Sequence, residues 1–301
     1  MKKILLSILL LSLFVIPLFM LKKLPNSSKQ MEEPVENMCQ LFISINNTSI
    51  PIEDYLIGVL AGEMPASFHE EALKAQAIAA RTYVLKQTNN GQTAISATTA
   101  HQVFNDQQMR EEKWQAAFAQ NEQKLEQAVN ETKQQVLTYQ DQLITAMFHA
   151  SSYKQTESAQ NYSDNALPYL QSVPTSELLE PQQLIFSYNE LNTQLQQNFT
   201  AKEYQQAKIQ KNSSERIESV TIAGKTWSGR EIREYLNLRS THFIWEQAAA
   251  GIQITTLGYG HGVGMSQEGA NAMAQRGATA EDILAHYYPN TNLQTFDYCE
   301  K

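Results

Sequence analysis

The chain has 301 residues, 42% of them hydrophobic and 18% charged, enough apolar material for a sizeable core and too much for a chain disordered throughout. A formal net charge of -8 excludes the basic face by which nucleic-acid binders usually reach phosphate, so no nucleic-acid partner is expected.

Lys2 and Lys3 precede an uncharged, mainly apolar run from Ile4 to Leu21, and Lys22 and Lys23 follow it. As a helix this run would reach about 27 Å, near the hydrocarbon thickness of a bilayer. A cleaved signal peptide would end in a small-x-small site, whereas Lys22-Lys23-Leu24-Pro25 stands here. Residues 1-23 are therefore expected to be an uncleaved single-pass anchor, its orientation left open by the paired lysines on both flanks. Residues 24-38, with Pro25, Asn26, Ser27, Glu32, Glu33 and Pro34, read as a polar stalk. The rest, 39-301, reads as one folded domain. The only two cysteines, Cys39 and Cys299, stand at its ends; one disulfide and two separate thiols are both compatible with that placement.

Leu41 to Ile45 is a short strand candidate. Pro51 then opens a stretch with Ile52, Tyr55, Leu56, Val59 and Leu60 at spacings of three and four, which predicts a helix with one buried face. Pro65 ends it. Ser67 and Glu70 have capping-box spacing, and the Ala-rich run to Thr88 predicts a second helix. Asn89-Asn90-Gly91 is a turn, Thr93 to Phe104 an extended region, and Arg110 to Lys133 a polar helix with Trp114, Phe118, Leu125 and Val129 near one face. Val136 to Tyr139 and Leu143 to His149 read as a hairpin. Ser176 to Lys211 has weak helical patterning; Glu218 to Ile222 and Ile252 to Leu257 read as strands, and Ser228 to Tyr235 as a helix. Together these elements predict a mixed α+β fold.

Glu63 is singled out by its place between two helices. The negative end of the first helix, and Met64 and Pro65 beside it, would both raise its pKa. A carboxylic acid kept protonated can donate to a glycosidic oxygen. By position alone, a solvated carboxylate at a helix end is the plainer reading. Gly258, Gly260, Gly262, Gly264 and Gly269 crowd one segment around His261, Ser266 and Gln267. Such spacing suits either a backbone that approaches a ligand closely or a structural turn with a satisfied histidine. It is neither a phosphate loop nor a dinucleotide fingerprint. His69-Glu70 lacks the second histidine of a zinc peptidase, since Leu73 stands there, and the other histidines are dispersed.

Several separate segments resemble one family. They are Ile50 to Pro65, ending in Glu63-Met64-Pro65; Glu71 to Tyr83; Phe148-His149-Ala150-Ser151-Ser152; Leu167 to Val173; Arg233 to Phe243; His261 to Ala270; and His286-Tyr287-Tyr288-Pro289. Together they are similar to the stage II sporulation protein D family. The resemblance implies a peptidoglycan lytic transglycosylase that cuts between N-acetylmuramic acid and N-acetylglucosamine to leave a 1,6-anhydro end, acting on denuded strands during engulfment. It implies Glu63 as catalytic acid and base, and Arg81, Tyr83, His149, Ser151, Ser152, His261, Gly262, Ser266 and Gln267 as substrate-binding residues. A cell-wall amidase and a multispanning membrane protein are the implied partners, and the membrane, with the catalytic domain outside the cytoplasm, the implied location. No cofactor is implied. Some members bind zinc, but Ser96 to Phe104 holds His101 and no cysteine, so no structural zinc is expected. Tyr153-Lys154 and Glu268 depart from the family's usual residues. They keep open a non-catalytic glycan-binding scaffold or an amidase activator of the same family.

Overall fold

The Ala-rich run is the axis of the molecule. The computed structural model describes residues 39–45, 48–96, 102–178 and 180–299. The first two strands, β1 (Phe42–Ile45) and β2 (Thr48–Pro51), form an antiparallel pair that leads into α1 (Ile52–Glu63). The residues spaced at three and four on α1, Ile52, Tyr55, Leu56, Val59 and Leu60, are all buried. The axial helix is α2 (Glu70–Gln87), and twelve of its residues, from Ala72 to Leu85, are buried. So complete a burial requires small side chains, because neighbours must approach from every side. The neighbours are α1, the strand β3 (Gln135–Tyr139) and three helices introduced below.

After α2 the chain forms α3 (Gln107–Trp114), a short 3-10 turn at Gln115–Ala117, and α4 (Phe118–Glu131). The single helix expected from Arg110 to Lys133 is therefore broken. Gln115 takes φ 46°, and a two-pronged ion pair from Arg110 to Glu122, at 2.8 and 2.5 Å, holds α3 and α4 together. The expected hairpin is also shorter. Of the expected second strand only β4 (Gln142–Leu143) pairs with β3, and Phe148–His149 (β5) leaves to run parallel to Met265–Ser266. Ile144 and Ala146 are buried, but they lie in the link between these two pairings.

A second core occupies the middle of the chain. Its buried residues run from Leu191 to Ile254, while the main core takes residues from Ile43 to Leu170 and again from Val263 to Tyr298. Both belong to one compact unit, Gln40–Lys301. The inserted core is covered by two antiparallel sheets. One orders β10 (Phe243–Ala248), β11 (Gly251–Thr256) and β6 (Gln182–Ser187); the other orders β7 (Lys208–Lys211), β8 (Ile217–Ile222) and β9 (Lys225–Ser228). Gln182–Ser187 was expected to be weakly helical. It is an edge strand because Leu184 and Phe186 supply an alternating apolar face to this core.

Four short helices lie along this stretch of chain, α5 (Ala159–Ser163), α6 (Tyr188–Gln194), α7 (Ala201–Gln205) and α8 (Gly229–Tyr235). The chain returns to the main lobe through Leu257 to Met265, then β12 (Met265–Ser266) and two helices, α9 (Gln267–Gln275) and α10 (Ala280–Tyr287), both packed on α2 as α4 is. The last strand, Asn292–Thr295, pairs with β3. Both cysteines are disulfide-bonded. Among the described residues no helix is long and apolar enough to cross a membrane; the expected anchor and stalk lie outside those residues.

Four glycines in the return segment have φ between 74 and 106°. At Gly264 an added Cβ would stand 1.9 Å from the Met147 carbonyl oxygen. Gly224 has φ +86° but open space around it. Gly224→Ala should therefore cost only the left-handed backbone penalty, about 1 kcal/mol, whereas Gly264→Ala should cost clearly more, upwards of about 2 kcal/mol. Urea unfolding of the two variants measures the difference, and equal losses would refute the packing role of Gly264.

Candidate active site

Glu63 is the last residue of α1, half-buried, with its Oε1 accepting the Val103 backbone N–H at 2.6 Å. Burial raises its carboxyl above the ordinary glutamate range, and hydrogen bonds from Val103 and from the Gln267 side chain pull partly against that. The helix dipole is not the cause first expected. The Ala61 carbonyl at the helix end is taken by Lys113 Nζ at 2.7 Å and Asn105 Nδ2 at 3.3 Å, and Lys124 Nζ binds the Ala66 and Phe68 carbonyls. One ammonium group at the helix C-terminus, with a second in the turn beyond it, opposes the dipole. The turn that follows Glu63 differs from expectation too. Phe68 N–H bonds the Pro65 carbonyl, so Ser67 belongs to that turn, and the cap of α2 is His69, whose Nδ1 accepts from Glu71 N–H at 3.3 Å.

Around Glu63 stand Gln267 and Tyr83, two of the residues expected to bind substrate. Gln267 is buried at the start of α9 and donates to Gln76 Oε1 at 3.4 Å. Tyr83 is half-buried; burial first, then the charges of Glu63 and Tyr162, keep its hydroxyl protonated. Tyr162 continues the wall toward His261, with ring centres 5.6 Å apart, and His261 meets His149 at 5.7 Å. His261 Nδ1 accepts the Val263 N–H at 3.0 Å. Burial, then the Arg233 and Arg216 charges, hold His261 down to about 4, so at neutral pH it is an uncharged ring in a wall.

The glycine segment does not offer its backbone to a ligand. It lies against Met147 to Ser152 and against Arg216: an added Cβ on Gly258 would stand 2.6 Å from the Ser151 carbonyl oxygen, and one on Gly262 would stand 2.4 Å from the Arg216 guanidinium. Ser151 exchanges backbone hydrogen bonds with Tyr259 at 3.0 and 2.9 Å. Gly262 gives its carbonyl to Glu157 N–H at 2.8 Å.

His149 and Ser152 form a closed network. Arg216 Nη2 donates to Ser152 Oγ at 2.9 Å, so that hydroxyl must turn its own proton to His149 Nε2 at 2.5 Å, leaving Nδ1–H for the Val263 carbonyl at 3.3 Å. Burial and the neighbouring His261 and Arg216 hold His149 well below the usual histidine range. Ser266 caps α9 and donates to Glu177 Oε1 at 2.6 Å, and the same oxygen accepts from Ser152 N–H at 2.7 Å. Ser151, Ser152, His149, Gly262 and Ser266 thus build the floor that carries His261 and Gln267. All are buried, where the expectation was of residues that contact substrate.

Arg81 is not part of this site. It is completely buried, its Nη2 is 2.6 Å from Glu53 Oε2, and it donates to the Gln135 and Val129 carbonyls. Tyr298 donates to Glu53 at 2.5 Å from the other side. The Glu177 bridge, Gln76, Tyr162 and Arg216 were not singled out in the sequence. They are isolated polar residues that converge only through long-range packing. Among the described residues no three His, Cys, Asp or Glu side chains gather as metal ligands; His101 lies outside those residues.

Residues 43–139 match the Stage II sporulation protein (SpoIID) family. The Stage II sporulation protein D of Bacillus amyloliquefaciens is 37% identical over 261 residues, covering 83% of this chain and 76% of that protein. The chain belongs to the stage II sporulation protein D family. The Stage II sporulation protein D of Bacillus subtilis (strain 168) is likewise 37% identical, over 269 residues with the same coverage. The Amidase enhancer of the same strain is 30% identical over 301 residues, 80% of this chain but 40% of that longer protein.

Two outcomes follow from this geometry. Gln267→Leu removes a hydrogen bond that favours the carboxylate, so the Glu63 midpoint, already above the ordinary range, should move further up in a carboxyl 13C NMR titration; a fall or no movement would contradict the contact. Arg81→Met leaves Glu53 buried without its cation and should cost about 3 kcal/mol or more of unfolding free energy. It should leave the Glu63 titration where it was, because Arg81 and Glu63 share no contact.

Proposed function

We propose that this chain is a lytic transglycosylase of peptidoglycan glycan strands, cutting the bond between N-acetylmuramic acid and N-acetylglucosamine with Glu63 as both acid and base. The observation that carries this reading is a single half-buried carboxyl, raised by burial and gripped at one oxygen by Val103 N–H. With Oε1 accepting that N–H, the other oxygen is the place for the proton. Glu63 gives this proton to the glycosidic oxygen as the bond to the muramyl anomeric carbon breaks. As carboxylate it then takes the proton of that sugar's own 6-hydroxyl, whose oxygen closes onto the anomeric carbon. The enzyme returns to its starting protonation, and no water and no second carboxylate are consumed, unlike the usual paired-carboxylate glycosidase.

The setting we infer is sporulation, as the names of the two Bacillus relatives support, and within it the remodelling of the septal wall. Residues 1-23 would hold the domain 39-301 at the outer face of a membrane through the stalk 24-38, beside an amidase that strips stem peptides and a multispanning membrane protein. A second reading is favoured by the Amidase enhancer relative: the domain would bind glycan without cutting it and stimulate an amidase.

Mass spectrometry of stripped glycan strands incubated with residues 30 to 301 separates the two. The expected products are 1,6-anhydro ends, reduced at least about a hundredfold in Glu63→Gln. Reducing ends would replace the transglycosylase with a hydrolase, and bound but intact strands would establish the activator reading.

A further inference from the structure

Four of the chain's seven arginines, Arg216, Arg230, Arg233 and Arg239, come from the inserted segment and border the glycine segment or Tyr162, which is unusual crowding in a chain of net charge -8. Arg230 lies 4.1 Å over the Tyr162 ring and donates to the Tyr162 carbonyl at 3.1 Å. Arg233 is three residues further along the helix Gly229–Tyr235, hence on the same face. It is half-buried, donates its Nε–H to the Leu238 carbonyl at 3.3 Å, and lies close enough to His261 for its charge to hold that ring down. Arg239 lies 5.9 Å over Tyr259. Arg216 is buried beneath Gly262, and its Nε and Nη1 have no hydrogen-bond partner among the described residues.

The nearby acids do not neutralise this group. Glu157 faces Arg216, but its oxygens accept from Ser158 N–H, Asn161, Asn212 and Ser214. Glu234 neighbours Arg233 and is exposed. The ion pairs among the described residues lie at Lys74, Arg81 and Arg110, none of them here. A half-buried guanidinium without a carboxylate offers a planar pair of donors that fits one bidentately.

The wall that joins this group to Glu63 is short in residues: Tyr83 is acted on by both Glu63 and Tyr162, and Tyr162 touches His261 and Arg230. We propose that Arg230 and Arg233, set on Tyr162 and His261 above the buried Arg216, form an anion subsite for a carboxylate of the glycan strand, namely the free lactyl carboxylate of a muramyl residue that has lost its stem peptide. The proposal rests on the glycan-strand reading above and adds the feature that would sense stripping. With a peptide attached, the lactyl group is a neutral amide and the guanidinium pair loses its partner. Carboxylates of the stem peptide itself are the other source of the same chemistry.

The test is binding, measured by calorimetry with the Glu63→Gln chain so that cleavage does not enter. Its ligands are stripped strands, the same strands with lactyl carboxyls converted to methylamides, and strands that keep their peptides. Stripped strands should bind roughly tenfold or more tightly than either of the others, and raising salt should shrink the gap. Adding Arg230→Gln with Arg233→Gln should abolish the gap, and Arg233→Lys alone should keep part of it. Arg230 is exposed, so Arg230→Gln alone leaves the fold intact and should narrow the gap. Equal binding of stripped and methylamide strands would overturn the subsite while leaving glycan binding in place. Tightest binding of peptide-bearing strands would assign the arginines to peptide carboxylates and overturn it too. No binding of any strand would instead remove the glycan reading on which it rests.

Discussion

The close contact between the glycine segment and Met147 to Ser152 is the constraint on which the rest of the site depends. Gly258 to Gly264 pass so near that neighbouring chain that any side chain at Gly258 or Gly264 would meet a backbone carbonyl. That approach lets Met265–Ser266 pair beside Phe148–His149, which fixes where α9 begins and so where Gln267 meets Glu63. The same segment bonds Arg239 and Ser151 through its backbone, tying the inserted lobe to the main one. One steric condition therefore places both Gln267 beside Glu63 and the Arg239 backbone against the glycine segment.

Polar groups beneath this segment are linked into one network. Arg216 Nη2, Ser152 and His149 form a chain of hydrogen bonds, and Glu177 ties Ser152 to Ser266. Burial with a cation alongside depresses the histidines, while burial alone is the main force that lifts Glu63. A low dielectric acts in opposite directions on the two residue types. The histidines are thereby kept uncharged, while the Glu63 carboxyl is shifted toward its protonated form.

Much of the main lobe could be read from periodicity. Ile52 to Leu60 and the alanines of α2 form the predicted helices because their apolar spacing coincides with real burial. Reading failed where contacts from far along the chain decide the conformation. Ser67 has the right spacing for a cap but is drawn into the Pro65–Phe68 turn, and the Arg110–Glu122 clamp accompanies a break that no local residue announces. Glu63 was legible because Pro65 marks the helix end. The floor residues were legible only as motif members. Their sequence gives no sign that His149 and Ser152 face each other rather than solvent, since that depends on Arg216, a residue of the other lobe.

The division of the two cores along the chain also sets an order of assembly. Every residue of the inner core lies between Leu191 and Ile254, whereas the outer one joins Ile43 to Tyr298. Long-range closure is the slow part of folding and the inner core has little of it. A chain emerging from its N-terminus can thus complete the inserted lobe early, while Tyr298 reaches Glu53 only at the end. The outer lobe supplies both Glu63 and Gln267, which stand on either side of the inserted lobe in the chain. The two can meet only after the whole inserted segment has been made.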